Sequence, residues 1–374
     1  MSSFKIQTFT IAFILLSLIL PGSFAQELSR NYLPGARVTD LKAFGNDIWV
    51  STYGQGIYRY SKSENRWYNF STKNENAPED FFYCIEVNKD FIWAGSSDGL
   101  YILDRKKEQW RKRKFAMGGE FGNWIRTLRL DSVQNKLWIG RFRNITVFDL
   151  TKPGYTDIER IQGKDQKSNT FQSIGLDGDS LIWFGTESGV HIFNKKKKIS
   201  DPSAWRYLDN NENNFNGLGE SVSVSCFLFE GKNIWFGTDE FITEENPDFN
   251  IGGIFIFDRL FNWHWISVYN GLGGNGIYCL ERTGNVIWAG VYSFNKSDEK
   301  EYGKGLYLID RLTAEITPLN LNEINSGSSS ILSLLFDGQD MWIGTSDGLV
   351  RIGITNSLAS WNLVKKSSSS SKRN

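Results

Sequence analysis

Short apolar runs recur along the chain, and each ends in a group of Gly, Asn or Asp. Runs of that kind read as β-strands separated by tight turns. They fall into a repeat. A tryptophan followed two positions later by a small residue recurs at Trp49, Trp93, Trp138, Trp183, Trp235, Trp288 and Trp342, at intervals of 44, 45, 45, 52, 53 and 54 residues. Each copy holds four pieces. A strand-like run such as FYCI at 82–85 or ILSL at 331–334 comes first. A turn such as GND at 45–47, DGD at 177–179 or DGQD at 337–340 follows, with residues that tolerate positive φ. The tryptophan strand is next. A Gly then opens a third, apolar strand, as in GLYILD from Gly99 or GLYLID from Gly305; the third copy has Asn144 in that place. A more polar fourth strand often carries its own Trp: Trp67, Trp110, Trp205, Trp265 and Trp361.

In LYIL at 100–103 both faces of the strand are apolar. An open sheet would leave one face wet. Sheets arranged radially bury both, and four short strands per unit at this spacing is a blade pattern. The expected fold is all-β, a seven-bladed β-propeller with four antiparallel strands per blade. The blades should span about 36–73, 80–117, 122–163, 168–212, 219–269, 274–320 and 328–364, within a domain at 26–364. The first and last units each look complete. The repeats do not settle whether residues 28–35 pair at the seam.

The two ends read differently. Residues 1–25 have a basic Lys5, an apolar run at 9–20, a Pro21-Gly22 break and a small-x-small Ser23-Phe24-Ala25, which is the layout of a secretory leader. The run is short for a permanent span. The expected location is secreted or periplasmic, with no transmembrane segment after cleavage. Residues 365–374 (KKSSSSSKRN) should form a disordered basic tail.

Composition narrows the chemistry. Among 374 residues, 42 Lys and Arg balance 42 Asp and Glu, so no global field draws the protein to nucleic acid or a membrane. Only two His and three Cys are present, against 14 Trp and 36 Gly, which disfavours a zinc or iron enzyme. No cofactor, metal or catalytic constellation is expected. Cys84, Cys226 and Cys279 share one repeat position with Asp40, Thr127, Ser173 and Ser333, so buried free thiols are expected. His191 takes a strand-three position held elsewhere by Tyr58, Tyr101 and Tyr307, which makes it a packing residue. His264 lies on an outer strand between Trp263 and Trp265. The turn carboxylates Asp177, Asp179, Asp337 and Asp340 fit hairpin chemistry better than a calcium loop.

The run W-[IAF]-G-T-x-x-G-[LVI], as in WFGTESGVHIF at 183–193 and WIGTSDGLVRI at 342–352, resembles the two-component regulator propeller repeat, as do the NGLG segments at 216–219 and 270–273. The resemblance covers essentially all of the chain after the leader. It implies a ligand-binding sensor propeller of the kind found outside the membrane in hybrid histidine kinases, many of which answer to polysaccharide fragments. The chain departs from that pattern in having no later span, kinase or immunoglobulin-like domain. Streptogramin-lyase propellers look distantly similar, and their chemistry depends on a His and a metal.

Two irregularities point to a binding surface. Blades five and six carry insertions at 239–252 and 291–304, between strands two and three, read here as loops. They should share a face with the connections at 118–124 and 209–221, and a rigid scaffold that presents loops is a common binding design. Tyr53, Gln55, Trp124, Arg126, Arg141, Arg143, Glu187, Asp239 and Tyr292 should be displayed on that rim. Aromatics for stacking on a sugar face, with arginines and carboxylates for hydroxyls, suit a carbohydrate-like or small polar ligand. The basic runs at 105–114 and 195–198 read as solvated faces, or as a patch for an anionic glycan, lipid head groups or a protein partner. The leading expectation is a binding or sensing module. A protein-interaction scaffold of the cell envelope is the alternative, and a lyase or hydrolase is least favoured.

Overall fold

The computed structural model describes residues 29–162 and 165–354; the leader expected at 1–25 and the tail expected at 365–374 lie outside the described residues. Among the described residues the strands form seven four-stranded antiparallel sheets. Six are built from strands consecutive in sequence, at 38–70, 84–113, 125–158, 171–208, 224–266 and 276–318. The first strand of every sheet touches the first strands of both neighbours, and the seventh touches the first, so the ring is closed around an axis.

The seventh blade is composite. Ile331–Phe336, Asp340–Thr345 and Gly348–Gly353 supply three strands, and Ser29–Tyr32 pairs antiparallel on the outside. Tyr32 faces Leu349 and Arg30 faces Arg351. The sequence places Trp361 on this outer strand, but Ser29–Tyr32 holds the position, and Trp361 lies outside the described residues. Side-chain packing favours this closure. The Tyr32 ring lies 6.0 Å from Tyr60, 5.4 Å from Trp67 and 6.1 Å from Trp342, so it joins blade seven to blade one.

Close approach between blades explains the small residue after each tryptophan. The first strand of six blades slips register just before its small position, for example between Val38 and Asp40 and between Ile277 and Cys279. The small residue then pairs with strand two: Cys84 with Gly95, Cys226 with Gly237, Cys279 with Gly290. A Cβ at Gly95 would stand 2.5 Å from Ile125 of the next blade, and one at Gly237 would stand 2.7 Å from Ile277. The glycine is therefore the surface on which the next blade sits. The thiols beside it are unpaired, and burial pushes Cys226 up to about 12 and the other two well above the ordinary range. Thiols held neutral in this way are poor nucleophiles. At the start of strand three, Asn144 has φ 72° and replaces a glycine that is left-handed in the other copies, such as Gly56 at 74°.

The tryptophans of strand two are buried between blades, and several use the indole N–H locally. Trp183, Trp235 and Trp342 donate to Asp177, Glu230 and Asp337 at 3.1, 3.0 and 2.6 Å. The same carboxylates reach across the seam to the basic residue after strand three of the following blade. Arg259 meets Asp177 at 2.9 Å, Lys62 meets Asp337 at 2.6 Å, and Arg311 meets Glu230. Asp131 and Lys195 form a fourth such pair at 2.9 Å, each with 1% of its side chain exposed. The first lysine of the 195–198 run is thus a seam residue and not part of a solvated face.

His191 packs within blade four, with its ring 4.9 Å from Tyr207 and Nε2 donating to the Ser168 carbonyl at 2.8 Å. Burial lowers its pKa from 6.5 to about 4. The unfolded chain then binds the extra proton, so this stability is complete above pH 6.5 and is lost as pH falls toward 4, by about 3 kcal/mol. Urea titrations across that window should show the loss, and His191→Gln should flatten it. Tyr32→Ala should lower unfolding free energy by about 2–3 kcal/mol through the lost aromatic contacts at the seam, read as a shift in denaturation midpoint.

Candidate functional site

The register slip that sets the small residue also sets the residue before it. A bulge re-aims its extra side chain. The residues at this position are Thr39, Tyr83, Arg126, Gln172, Ser225, Tyr278 and Leu332. All but Ser225 line a cavity of about 530 Å³, with Arg37, Tyr53 and Trp124. The first strands are the innermost, so this cavity is the mouth of the central channel.

On the side of blades one to three the mouth is aromatic. Tyr53 contacts Phe81 at 5.0 Å and Tyr83 at 5.4 Å; Trp124 lies 5.6 Å from Tyr83 and stacks on Phe142 at 5.2 Å and 4°. Tyr53 and Phe81 are exposed, which leaves flat apolar rings facing solvent. The Trp124 indole nitrogen is buried without a hydrogen-bond partner.

On the side of blades three to six the mouth is polar. A second cavity of about 330 Å³ lies there and shares Arg126 and Gln172 with the first. One hydrogen-bonded chain crosses its floor. Arg126 donates to Glu187 at 2.6 Å and to Gln172 at 3.2 Å. The Gln172 amide donates to Ser223, whose hydroxyl donates to Asp239 at 2.6 Å. The Tyr292 hydroxyl reaches the other Asp239 oxygen at 3.1 Å, and its ring stacks on Tyr278 at 4.3 Å. Tyr278 in turn donates to Glu301 at 2.8 Å. Burial pushes the Glu240 and Glu301 carboxyls above their ordinary value and raises the Tyr278 and Tyr292 phenols.

The two insertions wall this cavity, and they are hairpins instead of loops. Asn233–Phe241 pairs with Asn250–Phe257 as far as Phe241 opposite Asn250, and Val286–Asn295 pairs with Lys300–Asp310 out to Asn295 opposite Lys300. Aromatic and β-branched residues spaced along the ladders, among them Phe241, Ile251, Tyr292, Phe294 and Tyr302, favour their continuation. The hairpins support each other: Phe241 and Phe294 lie 4.8 Å apart, and the Phe294 amide donates to Glu240 at 2.9 Å.

Six of the residues expected on the rim meet at these cavities. Tyr53 and Trp124 line the axial one; Glu187, Asp239 and Tyr292 line the polar one; Arg126 lines both. Tyr292 acts from beneath, with 1% exposure, so it is not displayed as expected. Arg141 is a clear correction. It is fully buried, donates to the Met117 carbonyl at 2.8 Å and to the Gly122 carbonyl, and pairs with Asp157 at 2.9 Å. Its guanidinium ties the 118–124 connection to blade three. Arg143 is exposed but lines neither cavity, and Gln55 bonds to Gly35 and Tyr58. Tyr83, Gln172 and Tyr278 were missed, although each occupies the same repeat position as Arg126. Glu240, Phe241, Asn250 and Glu301 were missed because their placement depends on hairpin register.

Neither His lines either cavity: His191 is packed within the blades and His264 is exposed on an outer strand. Among the described residues no group of three or more His, Cys, Asp or Glu could hold a metal ion. The 105–114 run is exposed except at Arg105 and Trp110, and several of its charges pair on the surface. Arg105 donates to the Asn88 carbonyl at 2.7 Å, Lys112 and Lys114 meet Asp98, and Arg113 lies over Tyr155 at 5.8 Å.

No family model and no curated protein matches the sequence. Solved structures do match. The extracellular domain of BT4673 from B. thetaiotaomicron, described in one crystal structure as a one-component and in another as a hybrid two-component system, is 18% identical with TM-scores of 0.63 and 0.65. The likeness covers 87% of this chain but only 40% and 39% of those domains. YCF48 bound to D1 peptide is 11% identical with a TM-score of 0.59, covering 87% of this chain and 96% of that one. At these identities the likeness establishes the fold alone. No helix among the described residues is long and apolar enough to cross a membrane.

Arg141→Ala should separate scaffold from site. It leaves Asp157 buried without its cation, so unfolding free energy should fall by about 3 kcal/mol or more in denaturant titrations, while ligand affinity of the folded fraction stays unchanged.

Proposed function

We propose that this protein is an extracytoplasmic binding and sensing propeller that captures a carbohydrate-like or other small polar ligand at the mouth of its central channel. The observation that carries the reading is the convergence on one mouth of an aromatic shelf and a hydrogen-bonded polar cavity, joined by Arg126. Exposed rings suit the apolar face of a sugar, and the polar cavity offers oriented donors and acceptors. Its volume of about 330 Å³ falls in the range of small-molecule sites. The leader-like residues 1–25, the resemblance to the two-component regulator propeller repeat and the likeness to an extracellular domain of a one- or two-component system all support that location and role.

A second reading has its own support. YCF48 is a matching structure seen with a peptide bound, and the second reading is that this protein binds a protein segment in place of a small molecule.

Calorimetry against a panel of neutral, acidic and basic glycans tests the first reading. Trp124→Ala and Arg126→Ala should each weaken a binding glycan by about 10-fold or more. Arg126→Lys keeps the charge and loses the fork, so it should lie between wild type and Ala. A ligand indifferent to both Trp124 and Arg126 would place its site elsewhere. Capture of an envelope protein with no glycan affinity would favour the second reading.

A further inference from the structure

We infer that the polar cavity walled by the two long hairpins is a site for a small organic cation: an ammonium group carried on a polar skeleton of about monosaccharide size. The inference rests on the binding reading above and names the charge class of the ligand.

Charge comes first. Glu187, Asp239, Glu240 and Glu301 line the cavity, against Arg126 and Lys167. Arg126 is already paired with Glu187 at 2.6 Å, and the Lys167 ammonium lies 4.0 Å from the centre of the Phe249 ring. Asp239, Glu240 and Glu301 have no ion-pair partner among the described residues. Their hydrogen bonds come from neutral donors: Ser223 and Tyr292 for Asp239, the Phe294 amide for Glu240, Tyr278 for Glu301. Neutral donors orient a carboxylate without cancelling its charge. Burial opposes that charge, and it raises the Glu240 and Glu301 carboxyls even though Lys304 and Arg37 act on them from farther off. A cation entering the cavity relieves this cost.

An independent observation points to a missing donor. Asn250 lines the same cavity, is only 6% exposed, and its Oδ1 has no hydrogen-bond partner. A buried acceptor left empty costs free energy, and it is filled when a ligand N–H or O–H arrives. The carboxylates do not converge as metal ligands do, since no three of them could hold one ion. A molecular cation, with donors spread over a skeleton, matches separated acceptors better than a metal does. Phe241 and Phe249 add ring faces for its apolar side.

Saturation-transfer NMR on the full chain tests this with glucosamine, N-acetylglucosamine and glucose, in neutral buffer, which favours ionised carboxylates while the amine stays largely charged. Glucosamine should bind at least about 10-fold more tightly than the two neutral sugars. Asp239→Asn and Glu301→Gln preserve shape and the tyrosine hydrogen bonds. Each should cut glucosamine affinity by about 10-fold and leave the neutral sugars unchanged. Equal binding of all three sugars, reduced together by Arg126→Ala, would overturn the cation inference and leave the binding reading intact. Silence from all three would overturn the inference too, while the glycan panel decides the binding reading separately. Displacement of glucosamine by calcium would also overturn it, by making the site a metal site.

Discussion

The ring depends on one contact, repeated around the axis: the bare face of a strand-two glycine receives the first strand of the next blade. Gly95 under Ile125, Gly237 under Ile277 and Gly344 under Val38 are instances of the same approach. No side chain larger than hydrogen fits there without displacing a neighbour's backbone or branched side chain. The tryptophan two positions earlier packs against the same neighbouring blade, as Trp93 does beside Leu128, Leu137 and Ile139. Thus one W-x-G unit sets both the spacing and the angle between blades. Blade one uses Ser51 instead, and its hydroxyl bonds to Thr39 at 2.9 Å, so the contact there is polar but still small.

The same contact makes the binding mouth. To bring its small residue opposite the glycine, the first strand slips by one residue, and the displaced residue turns toward the axis. Packing therefore requires a ring of axial side chains but leaves their identity free. The chain has used that freedom unevenly: Tyr83 and Tyr278 are bulky, Arg126 and Gln172 form hydrogen bonds, and Leu332 is apolar. Asymmetry of this kind converts a seven-fold scaffold into a site with two distinct sides. The extended hairpins of blades five and six deepen only one of them.

Much of this was legible in the residues. Six W-x-G copies and one W-x-S specify the blades, and the left-handed start of strand three was legible even where Asn144 replaces glycine. The closing strand was not. SRNY at 29–32 is short and polar, carries no repeat mark, and is defined only by the edge it completes. Arg126, Glu187 and Asp239 were identifiable because they follow repeat positions. Arg141 follows one too, yet it points inward, because Asp157 and two carbonyls of the neighbouring connection offer a buried guanidinium a full set of acceptors. Asp157 lies on a fourth strand, the least regular part of each repeat, so its pairing could not be read from spacing. Glu240 and Glu301 depend on where a hairpin ladder stops, which local sequence does not state.

The treatment of buried acids within this one chain separates scaffold from site. At the seams, four carboxylates each have a cation: Asp131 has Lys195, Asp177 has Arg259, Glu230 has Arg311 and Asp337 has Lys62. Three of the four also accept an indole N–H from their own blade. These four pairs show how the fold compensates an acid at a seam. In the polar cavity it does not. Asp239, Glu240 and Glu301 receive neutral donors only, and Asn250 beside them keeps an empty oxygen. Stability alone would favour filling or removing such groups. Their grouping where the two hairpins extend the scaffold is what a site prepared for an incoming positive charge requires.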